Sequence, residues 1–189
     1  MFGKQALLYL GTALLCVSAN CQMVVHAVSG TVKSFNPKPM SMSVVVESGS
    51  IIQFAIRPDS KVALSFEDDL RGDAVDASKF NKVGAFVMVY YYGFETRRTA
   101  VAVKDLGPDP FKKTEGTVVD FNKHDRVLTV RDSKGTNETF RLSDNAVVDT
   151  GMGLQSGRKY EPDKGYKVRV TSSSADGKDV AVFIRSRQT

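Results

Sequence analysis

Hydrophobic residues in this chain fall mostly in short, valine-rich runs that alternate with polar positions and are punctuated by Gly, Asn, Asp, Ser and Lys. Val168 and Val170, interleaved with Lys167, Arg169 and Thr171, show a period of two, which places valines on one face and polar side chains on the other. β-Branched side chains fit a pleated, half-buried surface, so such runs predict strands. The segment 172–178 predicts a hairpin connection, because Asp176-Gly177 supplies the positive φ that such turns need.

The strand pattern occurs twice. Gly30-Thr31-Val32-Lys33-Ser34-Phe35-Asn36 returns as Gly116-Thr117-Val118-Val119-Asp120-Phe121-Asn122. Val44-Val45-Val46-Glu47 aligns with Leu128-Thr129-Val130-Arg131, Gly49 with Gly135, and Phe54-Ala55-Ile56 with Phe140-Arg141-Leu142. Farther on, Gly84 to Val89 align with Gly165 to Val170, and Ala100 to Lys104 with Ala181 to Arg185. Each copy therefore predicts about five strands. A single five-stranded sheet would leave an apolar face and two edges open, and closure into a barrel removes both.

The expected fold class is all-β, with two tandem small five-stranded barrels following an N-terminal signal peptide. Repeat 1 spans 28–104, a linker 105–113, and repeat 2 114–187. Pro108 and Pro110 with Gly107 exclude a central strand from the linker, and a tether of this kind predicts relative motion of the two barrels. The copies diverge between their third and fourth strands, where only a single helical turn is expected, near Asp76 to Phe80.

The Gly-x-Val opening, the Phe-x-Leu/Ile strand, Lys-x-Gly-x-x-Val-x-Val and the closing Ala-x-x-Ile together resemble a family of exported bacterial β-repeat domains of undefined function. Those units look like small oligonucleotide/oligosaccharide-binding-type barrels. The resemblance covers nearly the whole mature chain. Its motifs are glycines and core valines, so it implies a fold and brings no catalytic residue with it.

The N-terminus reads as a secretory leader. Lys4 precedes an apolar core at 6–17, too short to span a bilayer comfortably. Cleavage after Val17-Ser18-Ala19 defines a leader of residues 1–19, and cleavage after Val25-His26-Ala27 a leader of 1–27. The protein is thus expected in the periplasm or secreted, with no stable membrane insertion after cleavage. Both cysteines, Cys16 and Cys21, lie in or beside the leader, so neither a disulfide nor a thiolate metal site is expected in the body.

The net charge of +5 comes from basic residues spread among acids, which reads as a mixed solvated surface rather than a dedicated nucleic-acid footprint. His26 and His124 are the two histidines, and they form no metal-ligand or triad spacing. The acids at 67–69 with Asp73 are consecutive and miss the alternation of a calcium loop. No catalytic residue, metal or cofactor is expected, and the chain reads as non-enzymatic.

The most suggestive constellation is Tyr90-Tyr91-Tyr92-Gly93-Phe94 with Arg97-Arg98. Alternation from Val87 and Val89 turns Tyr91 inward and Tyr90 and Tyr92 outward. Outward tyrosines beside guanidinium groups can stack on bases or sugars and meet acidic groups. Tyr90, Tyr92, Arg97 and Arg98 are therefore the candidate ligand-binding residues. Against this, the tyrosines could simply cover the barrel flank or an inter-barrel contact. The functional expectation is a binding module of the bacterial envelope for an acidic or sugar-like polymer. A structural adaptor contacting other envelope proteins is the alternative, and a hydrolase ranks last.

Overall fold

The computed structural model describes residues 23–46, 48–57, 70, 72–108, 110–175 and 177–187. The leader core at 6–17 and the acids at 67–69 lie outside the described residues. The first half contains β1 (His26–Pro37), β2 (Met40–Val46), β3 (Ile51–Ile56), β4 (Val75–Asp76), β5 (Phe86–Tyr92) and β6 (Thr99–Asp105). The second contains β7 (Lys112–Asn122), β8 (Val127–Asp132), β9 (Asn137–Asp149), β10 (Leu154–Ser156), β11 (Lys167–Ala175) and β12 (Lys178–Arg187).

Each half closes into a five-stranded barrel. In the first, β3-β2-β1-β5-β6 are neighbours, and parallel pairing of β3 with β6 shuts the ring. In the second, β8, β9, β12, β11 and β7 form the ring, with β9 and β12 parallel. This order is consistent with the oligonucleotide/oligosaccharide-binding type of barrel. The helical turn expected near Asp76 is a 3-10 turn at Ala77–Lys79, capped by the Asp76 carboxylate, which accepts from the Ser78 N–H at 2.8 Å. Its counterpart in the second barrel is Gly157–Lys159.

The duplicated residues explain the shared geometry. The opening strand of each barrel shifts register after Val32 and after Val118, which lets it pair with one neighbour along its first half and another along its second. At the shift, Val32 donates its N–H to Ala85 O at 3.0 Å, and Val118 donates its own to Tyr166 O at 2.9 Å. Phe54, Val87 and Val89 fill the first core. Phe140, Val168 and Val170 fill the second. In the second strand the register places Val44 opposite Val32 and Val130 opposite Val118. Val44 therefore corresponds to Val130, and the alignment with Leu128 is corrected by two positions. A continuous valine run has no alternation to fix its phase, and a slip of two keeps the same face.

The barrels do not hang on a free tether. A third apolar cluster joins Val25, Ala27, Leu70, Met88, Tyr90, Val101 and Ala102 of the first barrel to Val147 and Phe183 of the second. Strand β5 is consequently buried on both faces from Phe86 to Tyr91. Its inward face lines its own barrel, and its outward face lies under the other. Across the same junction Ser29 and Thr171 hydroxyls are hydrogen-bonded at 3.1 Å.

Ser172 occupies the place in the second barrel that Tyr91 holds in the first, facing Lys112 as Tyr91 faces His26. Its hydroxyl is buried and finds no hydrogen-bond partner among the described residues. Removing an orphaned hydroxyl removes a desolvation cost. Ser172→Ala is expected to be neutral or stabilising by up to about 1 kcal/mol in denaturant unfolding, and a clear loss of stability would show that the hydroxyl is paired after all.

Candidate functional site

The four expected ligand-binding residues separate in the structure. Tyr90 does face outward from its barrel, but it is 0% exposed, because outward there means inward to the junction. Its hydroxyl donates to Leu70 O at 2.7 Å, and burial, followed by the nearby Asp73 carboxylate, pushes the phenol pKa up. The expected exposure of Tyr90 is therefore corrected, and no ring face is left for a ligand to stack on. Tyr92 is half-buried and packs against the same cluster. Arg97 is exposed on the β5–β6 loop, while Arg98 is half-buried and turns toward a cleft between the barrels.

That cleft has a volume of about 210 Å³. From the first barrel it is lined by His26 at the start of β1, Tyr91 of β5, and Phe94 and Arg98 of the β5–β6 loop. From the second it is lined by Arg185 and Arg187, both on β12. Gly93 shapes the loop. Its φ is +92°, and a Cβ there would meet Arg97 O at 2.1 Å, so only glycine permits the turn. The Arg97 N–H donates to Phe94 O at 2.9 Å, which leaves the Phe94 ring 76% exposed at the mouth, 6.2 Å from the His26 ring. The Ala55 N–H donates to Arg98 O at 2.9 Å, and the guanidinium carbon sits 6.0 Å from the Tyr91 ring centroid. Arg185 and Arg187 are two positions apart on one strand, so they share a face.

Electrostatics set this cleft apart. Among the described residues, Arg98, Arg185 and Arg187 make no ion pair and Glu95 is the one acid lining the cleft. A neighbouring groove of about 340 Å³ shares Arg185 and Arg187 and continues over Lys167 and Arg169. There Arg169 is held bidentately by Glu115, at 2.9 and 3.2 Å.

The floor of the cleft is fixed by Asp149, the last residue of β9. Its carboxylate is buried and accepts from Ala27 N–H at 3.2 Å and Gly151 N–H at 3.0 Å, and it pairs with His26 Nδ1 at 3.2 Å. Two of those three partners belong to the other barrel.

A second concavity, of about 1300 Å³, lies on the second barrel and includes His124 and Arg126 of the β7–β8 turn with Glu138 and Arg141 of β9. Its lining mixes Lys112, Arg126, Arg141 and Lys178 with Asp125, Glu138, Asp144 and Asp179, and Lys112 Nζ is already paired, 3.0 Å from Asp179 and 3.2 Å from Glu138. The Asp179 bond, supported by Glu138, raises the ammonium pKa. Fixed opposite charges leave little net attraction for an anion, and the inter-barrel cleft is the better site for one. Among the described residues no group of three or more His, Cys, Asp or Glu is arranged to hold a metal ion, and no helix is long and apolar enough to cross a membrane.

Sequence reasoning reached Arg98 and missed His26, Arg185 and Arg187. His26 falls within the longer of the two expected leaders, 1–27, and the two arginines lie far from the tyrosine run in the chain. The available signal was the Arg-x-Arg alternation of the final strand. Comparison with known proteins returns no matching family model and no matching curated protein.

Proposed function

We propose that this chain is an exported, non-enzymatic binding module of the bacterial envelope, built of two oligonucleotide/oligosaccharide-binding-like barrels. Its ligand is an acidic polymer that carries carboxylate, sulfate or phosphate groups. The observation that carries this reading is the convergence of Arg98, Arg185 and Arg187, unpaired among the described residues, on one cleft between the barrels. Guanidinium groups bind pairs of carboxylate or phosphate oxygens bidentately, and a low-dielectric wall strengthens the attraction. Phe94 at the mouth adds an apolar face against which a sugar ring can stack. The adjoining basic groove gives the site a length, which suits a chain better than a single small anion.

The test is titration calorimetry with a sulfated polysaccharide and with polyphosphate at two salt concentrations. The wild type is expected to bind, more weakly at high salt because exposed charges are screened. Arg98→Ala/Arg185→Ala/Arg187→Ala is expected to bind at least about tenfold more weakly, since each exposed charge contact is worth several tenths of a kcal/mol to 1 kcal/mol. Arg97→Ala is expected to stay within about twofold of wild type. Unchanged affinity in the triple variant would overturn the site.

A further inference from the structure

We propose that export processing cuts this chain after Ala19 and not after Ala27, so that residues 20–27 remain on the mature protein and His26 and Ala27 serve as the latch between the barrels. This rests on the export reading above, but not on the identity of the polymer. Both sites present small residues to a host membrane peptidase, which hydrolyses one peptide bond with water to leave a carboxylate and a new α-amine. The sequence motif alone does not choose between them.

The structure does, by what each product would retain. Such cleavage acts on the chain before it folds, so burial does not shield Ala27 from the peptidase. What matters is whether the remaining chain can rebuild the junction. Val25 is 1% exposed and Ala27 0% exposed, and both belong to the cluster that joins the barrels. His26 and Ala27 form the first rungs of β1 on β5, opposite Tyr91 and Tyr90. Both also reach across to Asp149, through His26 Nδ1 and the Ala27 N–H. A product beginning at Val28 would lose these rungs, open a hole beside Tyr90 and leave the buried Asp149 carboxylate with only Gly151 among its present partners. It would also lose the histidine that lines the binding cleft. A product beginning at Asn20 keeps all of them.

The first measurement is N-terminal sequencing and intact mass of the exported protein after expression of the full chain in a Gram-negative host. The expected mature chain begins at Asn20. A mature chain beginning at Val28 would overturn the proposal, and so would a full-length precursor kept in the cytoplasm, which would remove the export reading with it. The second measurement compares purified chains beginning at Asn20 and at Val28. The longer chain is expected to melt about 10 °C higher in a single transition. Equal melting of the two would remove the structural reason for the choice, whereas polymer binding, measured on the longer chain, bears separately on the cleft.

Discussion

Asp149→Ala is expected to lower the unfolding free energy by about 3 kcal/mol, equivalent to a drop in Tm of roughly 6–12 °C for a chain of this size. The carboxylate is 1% exposed and stands between two barrels with donors on three sides: His26 Nδ1, Ala27 N–H and Gly151 N–H. Alanine supplies no acceptor, so His26 and Ala27, both buried, lose their partner where little water reaches. A buried ion pair alone is weak evidence of net stability, because desolvation offsets attraction. Here one contact comes from the buried Ala27 backbone N–H across the junction, and an unsatisfied buried donor is costly. Asp149→Asn keeps one carbonyl acceptor and is expected to lose about half as much. His26→Ala combined with Asp149→Ala should cost clearly less than the sum of the single changes, because both remove one contact. Chemical denaturation of the wild type and the four variants measures this. A loss below about 1 kcal/mol for Asp149→Ala would mean the barrels are held without the latch.

Gly30→Ala and Gly116→Ala are expected to destabilise the protein by about 2–4 kcal/mol each, and by similar amounts. These glycines open the duplicated motif, and neither sits in a turn. A Cβ on Gly30 would lie 2.4 Å from Val45 O and 2.6 Å from Val44 Cγ1. On Gly116 it would lie 2.2 Å from Arg131 O and 2.7 Å from Val130 Cγ1. The obstacle in both cases is a backbone carbonyl of the paired strand, which cannot retreat without breaking the ladder. Gly49→Ala is the control. It has φ of +77° and open space around it, so it carries only the left-handed backbone cost of about 1–2 kcal/mol. If Gly49→Ala proved more damaging than Gly30→Ala, close strand approach would not be the reason for the repeated glycine.

The barrels were legible from the sequence because their information is local. Alternation in Lys167 to Thr171 specifies which face of β11 is inward, and Val168 and Val170 are indeed core residues. The same alternation put Tyr91 in the first core, where it packs at 5.3 Å from Phe54. The phase of the second strand was less legible, since Val44, Val45 and Val46 are indistinguishable by pattern. What the sequence did not show was the junction. Alternation distinguishes inward from outward within a barrel, and it is silent on whether outward means water or a second barrel. Tyr90 illustrates this: read as an exposed platform residue, it is sealed under Phe183 and Val147 of the other half. The cleft was hidden for a related reason. Arg98, Arg185 and His26 are separated along the chain, and only the docking of the barrels brings them together.

The divergence of the two copies is as informative as their likeness. Where the first barrel has Tyr91 and the Gly93 to Arg98 loop, the second has Ser172 and a short hairpin between β11 and β12. The proposed binding site thus lies at the seam between copies rather than on the shared scaffold. Amide chemical-shift mapping during titration with a short sulfated oligosaccharide tests that assignment most directly. The largest shifts are expected on both barrels at once, at His26, Phe94, Arg98, Arg185 and Arg187. Shifts confined to the wide groove of the second barrel, around His124, Arg126 and Arg141, would contradict it.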